Sequence, residues 1–413
     1  MKNTVFTFLV FIAVISNSFA QSGWVRYTLN IPNVSSYTFY DVQFINSNTG
    51  FIVGYKNNPQ QAVFLKTTDS GINWSVSSFP LESFFSVGFI DANTGVISAG
   101  YNYRRTTNGG ATWSPVTNLS SIWMAKIVFR NSTTGFAFGP SSIDYTNDAG
   151  LSWQHSFTSN KIYLNDAVFL TQNKAIAVGT NSFTTTNGGL NWAYESSLYA
   201  QYGISNCDSN NILACGSHFR CINKSTNGGN NWTVVYPGTA SDTTFFSVKY
   251  FDVNNAIVAG SGGKILATSN GGINWSQQLS GISSTILRMN FVNSQTGWIV
   301  GKNGVILKTT TGGVVTGFTQ TSSEIPNKFS LSQNFPNPFN PSTRINYELP
   351  ITNYVSLKVY DALGNEVETL VNENQNAGSY SVDFDASQLP SGIYFYKLFT
   401  ENFSETKKMV VVK

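Results

Sequence analysis

Apolar and polar residues alternate in short runs along most of this 413-residue chain. Alternation with a period of two predicts half-buried β-strands. The clearest runs are Phe39 to Phe44, Phe84 to Phe89, Met124 to Phe129, Leu164 to Phe169 and Phe246 to Phe251. Helical periodicity is hard to find after residue 20. We therefore predict an all-β protein.

A second strand of small residues follows each run and ends in glycine, as in Thr49-Gly50-Phe51-Ile52-Val53-Gly54. The seven closing glycines are Gly54, Gly100, Gly139, Gly179, Gly216, Gly260 and Gly301. A Thr-rich third strand comes next. Seven such sets predict seven β units of four strands each.

A short sequence motif, which we call the phrase, follows the third strand in six of the repeats. It consists of Thr or Ser, then Asp or Asn, then Gly, and then Trp. Its tryptophans lie 39, 40, 39, 40 and 43 positions apart by subtraction. A repeat of roughly 40 residues is the spacing of β-propeller blades. The Asp/Asn positions are Asp69, Asn108, Asp148, Asn187, Asn227 and Asn270, and the tryptophans are Trp74, Trp113, Trp153, Trp192, Trp232 and Trp275.

The phrase is predicted to close a tight turn. An Asp or Asn oxygen can accept hydrogen bonds from nearby backbone N–H groups, and Gly accepts a positive φ. Because Asn replaces Asp in four of the six copies, the position needs an acceptor oxygen and not a negative charge. We interpret these residues as structural, with the Trp packing between neighbouring sheets.

The seventh phrase, Thr309-Thr310-Thr311-Gly312-Gly313, has no Trp after it. Near the N-terminus, the chain contains the last part of a repeat without the first part: Gly23-Trp24-Val25-Arg26-Tyr27. We therefore predict that Trp24–Leu29 is the outer strand of blade seven and closes the ring.

The phrase resembles the Asp-box of sialidases, sortilin-type receptors, xyloglucan-cleaving glycoside hydrolases and photosystem II assembly factors. In those families the box lies on the hairpin between the third and fourth strands, on the face away from the ligand. The resemblance covers about Gly23 to Gly313. It implies a seven-bladed β-propeller and says little about function, because one fold carries many functions.

Met1–Ala20 has the features of a signal peptide: Lys2, an apolar run from Val5 to Ile15, and Ser18-Phe19-Ala20 as a cleavage site. We predict a propeller over residues 21–315 and a Ser/Thr-rich linker over 316–328. No other stretch is long and apolar enough for a membrane span.

Residues 329–413 are predicted to form a small antiparallel β-sandwich. Its expected strands are Thr343–Glu348, Val355–Tyr360, Glu366–Val371, Gly378–Phe384, Gly392–Phe399 and Glu405–Val412. Asn334-Phe335-Pro336-Asn337-Pro338-Phe339-Asn340-Pro341 cannot be an internal strand, because its prolines lack ladder donors.

This block closely resembles the type A C-terminal sorting domain of the type IX secretion system of Bacteroidota and relatives. The matching segments are Asn334 to Pro341, Val359-Tyr360-Asp361, Leu363-Gly364, Leu389 to Tyr394 and Lys407 to Lys413. The resemblance implies that the secretion machinery is a partner of residues 329–413. It also implies a protein that is released or held at the outer-membrane surface.

Composition changes this picture little. Charged residues make up 11% of the chain and the formal net charge is +3, which gives no reason to expect nucleic-acid binding. The three cysteines, Cys207, Cys215 and Cys221, all fall in blade five. A Cys215–Cys221 bridge and three free thiols are both open, and Cys207 is expected where most inner strands have Phe.

Candidate catalytic chemistry is sparse. The chain has two histidines, and we expect no metal site and no cofactor. A glycoside hydrolase would need a pair of carboxylates roughly 5–10 Å apart. The available carboxylates are Asp41, Glu82, Asp91, Asp166, Asp242 and Asp252.

The expected ligand face is the one opposite the box turns. It carries loops with aromatic and basic groups, which suit sugar or peptide recognition. The candidates are Tyr55, Tyr101, Tyr103, Arg104, His218, Phe219 and Arg220. We expect a secreted binding or scaffold module with a glycan or protein ligand, and the alternative is a glycoside hydrolase that uses carboxylates of this face.

Overall fold

The computed structural model describes residues 7–10, 23–29, 31–100, 102–116, 124–159, 162–195, 198, 200–217, 221–238, 244–313, 319–322, 326–375, 377–386 and 389–413. Residues Trp24–Gly312 form one compact unit and Gly313–Lys413 belong to a second. Within these described ranges the only helical segments are two 3-10 turns, Val34–Ser36 and Ser261–Gly263.

The first unit is built from strands β1 to β29. Their bounds are β1 Thr7–Val10, β2 Gly23–Tyr27, β3 Thr38–Phe44, β4 Gly50–Asn57, β5 Gln60–Thr67, β6 Trp74–Pro80, β7 Phe84–Phe89, β8 Gly95–Ala99, β9 Asn102–Thr106, β10 Ser114–Val116, β11 Lys126–Phe129, β12 Gly135–Phe138, β13 Ser142–Thr146, β14 Gln154–Thr158, β15 Leu164–Phe169, β16 Ala175–Gly179, β17 Ser182–Thr185, β18 Ala193–Glu195, β19 Gln201–Asn206, β20 Ile212–Gly216, β21 Ile222–Ser225, β22 Thr233–Tyr236, β23 Phe245–Tyr250, β24 Ala256–Gly260, β25 Ile265–Thr268, β26 Ser276–Gln278, β27 Ile286–Phe291, β28 Gly297–Gly301 and β29 Ile306–Gly313.

These strands form seven antiparallel sheets, the blades of a β-propeller, in the part of the chain that the structure describes. Blade one is β3 to β6, and each further set of four strands makes the next blade up to blade six, β23 to β26. Strand β1, inside the predicted signal peptide, lies antiparallel on the outer edge of β6. The signal peptide itself stays a prediction.

Blade seven joins the two ends of the propeller. Its sheet order is β2-β29-β28-β27, so β2 supplies the outer strand as predicted. Trp24 is 3% exposed and meets the ring of Phe291 edge-on, with the ring centres 5.9 Å apart. It packs in one cluster with Ile257 and Ile265 of blade six. The predicted closure by Trp24 is confirmed.

The box turns have the predicted hydrogen bonds. In the first box, Asp69 Oδ1 accepts from the Thr67 hydroxyl at 2.8 Å and from the Asn73 backbone N–H at 2.8 Å. The Gly71 N–H donates to Thr67 Oγ1 at 2.9 Å, and Gly71 has φ 84°. Asn108 in the second box accepts the same two bonds through its amide oxygen. An amide therefore replaces a carboxylate without loss of the turn.

The box tryptophans pack against the preceding blade. Trp153 of blade three lies in one cluster with Val96 and Tyr103 of blade two, and Trp192 of blade four packs on Phe138 of blade three. Trp74, Trp153 and Trp192 are buried, whereas Trp113, Trp232 and Trp275 are partly exposed. The large rings thus hold neighbouring blades together.

A second set of side chains caps the turn between the first and second strands of each blade. Asp91 Oδ1, for example, accepts from the backbone N–H groups of Asn93 and Thr94, both at 2.7 Å. The equivalent capping residues are Asn46, Asn131, Thr171, Asp208, Asp252 and Asn293. This turn lies on the same face as the boxes.

The second unit contains two four-stranded sheets. Its strands are β30 Thr319–Ser322, β31 Ser330–Leu331, β32 Ser342–Leu349, β33 Asn353–Tyr360, β34 Glu366–Gln375, β35 Gly378–Asp385, β36 Gly392–Thr400 and β37 Phe403–Val411. The sheet orders are β30-β35-β32-β31 and β34-β33-β36-β37, around one buried core. All six predicted strands are present.

The predicted linker is wrong in one respect. Strand β30 lies inside 316–328 and pairs with β35, so those residues belong to the C-terminal sheet. Alternation is weak over four residues of Thr, Gln, Thr and Ser, and the partner strand lies about 60 residues later in sequence. The local pattern could not reveal this pairing.

Cys207, Cys215 and Cys221 form no disulfide bond. Cys215 lies opposite Ile222 in the β20–β21 pair, which places Cys221 one position out of register with it. Burial raises the pKa of both thiols. Cys207 was expected at the position that Phe holds in most inner strands, and this is wrong by one residue. Asn206 holds that position, because it pairs with Ile212 as Phe89 pairs with Gly95. Cys207 is the next residue and is partly exposed.

Candidate functional site

One residue of each inner strand points into the mouth of the central channel. The pairing of the inner with the second strand skips a residue at the same place in six blades, as between Phe39 and Asp41 in blade one. Such a β-bulge redirects a side chain. With Ala125 of blade three, these residues form what we call the mouth ring: Tyr40, Phe85, Ala125, Asn165, Tyr202, Phe246 and Leu287.

The mouth ring surrounds a cavity of about 330 Å³ whose lining also includes Arg288. This volume lies within the range of small-ligand pockets, roughly 300–1,000 Å³. Tyr40 lies near the start of β3, which pairs with the end of β4, whereas the box follows the far end of β5. The cavity is therefore on the face opposite the boxes, where a ligand site was expected.

Aromatic rings make two walls of the cavity. In blades one and two, Tyr40 stacks on Tyr55 with ring centres 5.1 Å apart and meets Phe85 at 5.5 Å. In blades five and six, Tyr202 and Phe246 lie 5.0 Å apart. Burial is the largest cause that raises the pKa of Tyr40, and a hydrogen bond with the Tyr55 side chain raises it further. The Tyr40 hydroxyl therefore stays protonated.

Below the mouth ring, a first ionic clamp joins blades one, two and three. The Asp41 carboxylate is 1% exposed and lies 3.0 and 3.1 Å from Lys126 Nζ. It also accepts from Ser86 Oγ at 2.7 Å. The acceptors of this carboxylate are thus occupied by protein donors.

A second ionic clamp joins the other four blades. Arg288 of blade seven lies 3.6 Å from the Asp166 carboxylate of blade four. Its guanidinium also donates to the carbonyls of Asn165, Tyr202 and Phe246 at 2.6, 3.2 and 3.3 Å. The two clamps place charged groups from four blades in the channel and leave the mouth above them chiefly apolar.

The carboxylates considered for hydrolysis have structural partners. Asp41 and Asp166 belong to the clamps, and Glu82 pairs with Arg104. Asp91 and Asp252 cap turns on the opposite face. Asp242 lies outside the described residues. The five described carboxylates are thus engaged by groups of the protein.

Three of the predicted ligand residues, Tyr55, Tyr103 and Arg104, lie in strands and not in the expected loops. Tyr103 lies in β9 and is 0% exposed. Its ring stacks on Trp153 at 4.5 Å and its hydroxyl donates to Asp144 at 3.0 Å, so no ligand reaches it. Arg104 also lies in β9, where it pairs with Glu82, with Nε 2.8 Å from Oε2; its role in binding remains a proposal.

Tyr55 was expected at the start of an enlarged loop, but it lies inside strand β4, which continues to Asn57. Its ring stacks on Tyr40 at the edge of the mouth. Its role in binding remains a proposal. The other four candidates, Tyr101, His218, Phe219 and Arg220, lie outside the described residues.

The sequence did carry a signal for the mouth ring. Two adjacent apolar residues interrupt the alternation at the start of the inner strands, as in Phe39-Tyr40, Phe84-Phe85 and Phe245-Phe246. A bulge adds one residue to a strand, so it produces such a pair. Its effect on side-chain direction becomes visible only when the seven strands are arranged around the channel.

The described residues contain no group of three or more His, Cys, Asp or Glu side chains placed to hold a metal ion. They also contain no helix with the length and apolar character that crossing a membrane requires.

Two segments match protein-family models. Residues 333–412 match the secretion system C-terminal sorting domain, and residues 199–310 match the photosynthesis system II assembly factor YCF48. The chain thus carries a type IX sorting domain, and its propeller resembles the YCF48 type. A comparison with curated proteins gave no match.

Solved structures support the fold. A YCF48 bound to D1 peptide is 21% identical, with a TM-score of 0.57 over 73% of this chain and 99% of that chain. YCF48 from Cyanidioschyzon merolae is 17% identical, with a TM-score of 0.54 over 69% and 98%. The WD40 propeller domain of Doa1 is 9% identical, with a TM-score of 0.51 over 73% and 97%. At these identities the likeness shows the propeller fold alone.

Proposed function

We propose that this protein is a secreted or surface-attached binding module whose ligand site is the mouth ring. The observation that carries the proposal is the repeated bulge, which directs Tyr40, Phe85, Tyr202 and Phe246 into one cavity. A bulge is costly to a ladder and serves to aim a side chain. Clustered, partly exposed aromatics provide contact area for a sugar or a peptide.

The ionic clamps support a binding role over catalysis. Binding needs a rigid rim, because ordering a loose site costs affinity. Asp41 and Arg288 fix the inner strands directly beneath the aromatics. The same contacts keep the Asp41 carboxylate and the Arg288 guanidinium bound to other groups of the protein. The site therefore offers shape and apolar contact, with Asn165 and the tyrosine hydroxyls as polar groups.

The sorting domain supports export of the propeller across the outer membrane, where a binding module would meet its ligand. The secretion machinery is the partner of the C-terminal unit, and the propeller is its cargo. We propose that the mature propeller works outside the outer membrane.

Binding arrays test the ligand role. The mature propeller is applied to glycan and peptide arrays beside the Phe85→Ala/Tyr202→Ala double variant, which removes one ring from each aromatic wall. Ile273→Ala is the matched control, because this residue is 80% exposed on the box face. We expect ligands that bind the parent and the control and are lost in the double variant. Ligands that bind the double variant equally well would contradict the proposal.

A further inference from the structure

We infer that Phe335 is the aromatic anchor by which the secretion machinery recognises the sorting domain. Its side chain is 81% exposed in the C-terminal unit. Large aromatic side chains in such a position commonly insert into a pocket of a partner. This inference rests on the sorting role of residues 333–412 and not on ligand binding by the propeller.

The backbone around Phe335 is held in place although the ring is in solvent. Its N–H donates to the Arg344 carbonyl at 2.9 Å, and the Arg344 N–H donates back at 3.0 Å. An exposed apolar residue at a loose loop tip needs no functional explanation. Phe335 instead projects from a backbone paired in both directions.

Two asparagines fix the chain on either side. Asn334 is 2% exposed, and its side-chain amide donates to Thr343 Oγ1 at 2.9 Å and to the Pro336 carbonyl at 3.1 Å. Asn337 Oδ1 accepts from the Val410 N–H of β37 at 2.9 Å. These bonds explain Asn334 and Asn337 as supports for an ordered, outward-facing Phe335. An ordered anchor loses little entropy on binding.

The surroundings indicate the partner's chemistry. Pro336 and Pro338 are exposed in the same segment, and Arg344, the backbone partner of Phe335, forms an exposed ion pair with Asp383 at 2.7 Å. An apolar patch with a charged rim is typical of a protein interaction site. The fitting partner is a protein component of the secretion machinery with an apolar pocket and a polar edge.

Export of the full chain tests the inference. Phe335→Ser, Phe335→Tyr and the control Ile351→Ser are produced in a bacterium that has the type IX machinery. Ile351 is 49% exposed between β32 and β33 of the same unit, outside the five segments that resemble the type A sorting domain. The fraction of protein outside the outer membrane is measured by quantitative immunoblot of periplasmic, surface and medium fractions. Thermal unfolding of the purified full chains checks the fold.

We expect export of Phe335→Ser to fall about ten-fold or more, the size typical of losing an aromatic hot spot. Phe335→Tyr and Ile351→Ser should be exported like the parent, and all variants should unfold at the parent temperature. Normal export of Phe335→Ser would overturn the inference, and so would an equal loss in Ile351→Ser or a lowered unfolding temperature in Phe335→Ser alone. Loss of export on deletion of the whole C-terminal unit tests the sorting role separately.

Discussion

The box in blade three allows a sharp test of its structural role. Asp148 Oδ1 accepts from Thr146 Oγ1 at 2.7 Å and from the Ser152 N–H at 2.9 Å, and Oδ2 accepts from Ser152 Oγ at 2.5 Å. Asp148→Asn keeps the Oδ1 acceptor, and its new amide can donate to the Ser152 hydroxyl. Asn108 already makes this bond, to Thr112 Oγ1 at 2.8 Å. Asp148→Asn should therefore change the free energy of unfolding by less than about 0.5 kcal/mol at neutral pH.

Asp148→Ala removes all three bonds. Each net hydrogen bond contributes about 0.5–1.5 kcal/mol, and water can reach the exposed Ser152, which reduces the loss. We expect a destabilisation of about 1–2 kcal/mol. The assay is urea unfolding of the parent and the two variants, followed by tryptophan fluorescence. Equal destabilisation by Asn and Ala would show that the negative charge matters and would refute the reasoning.

The pH dependence gives an independent arm of the same test. Burial alone would raise the pKa of Asp148, but the hydrogen bonds from Ser152, Thr146 and Leu151 outweigh it and lower the pKa below its ordinary value. A carboxyl group with a lowered folded-state pKa stabilises the protein above its unfolded pKa, near 3.9, and loses this effect as pH falls through the folded pKa. Stability of Asp148→Asn should fall less steeply below about pH 4 than that of the parent. Identical pH profiles would contradict this account of the carboxylate.

Three further predictions concern the ring and the two units. Removing Gln21–Leu29 should open blade seven, because Trp24 and β2 are lost. The free energy of unfolding should fall by about 3–5 kcal/mol and the protein should associate through its exposed strand edge. Parent stability in urea unfolding together with a monomer in light scattering would contradict this. Asp41→Ala should cost about 3–5 kcal/mol in urea unfolding, because Lys126 is left without its carboxylate in the channel, and a loss below about 1 kcal/mol would show that the first clamp does not hold the blades. Deleting residues 314–413 should leave a folded propeller in the periplasm, and normal delivery of this truncation to the surface would contradict the sorting role.

The blade architecture could be predicted because its determinants are local. A box places its acceptor, its glycine and its tryptophan within eight residues, as Thr67 to Trp74 shows, and the repeat of this phrase counts the blades. The ring closure could also be predicted from the motif. The seventh copy ends at Gly313 without a Trp, and Trp24 supplies the missing residue. The sandwich strands followed from alternation and turns.

The site could not be predicted as fully, because its determinants are non-local. Tyr103 was expected in a loop, but its partner Asp144 lies 41 positions away on the next blade. The ionic clamps join Asp41 to Lys126 and Asp166 to Arg288, pairs separated by 85 and 122 positions. Such contacts depend on how seven inner strands surround one channel. Tyr55 was likewise expected in a loop but lies in β4, because that strand runs on to Asn57 in its pairing with β5.

Calorimetric titration of an array-selected ligand tests the central claim most directly, since it measures whether the mouth ring binds. The mature propeller is compared with Tyr40→Ala, Phe246→Ala and the box-face control Ile273→Ala. We predict that both mouth-ring variants weaken the Kd about ten-fold or more, while Ile273→Ala binds like the parent. The heat-capacity change should be negative, because apolar surface is buried. Parent-like affinity in both mouth-ring variants, or an equal loss in Ile273→Ala, would contradict the claim.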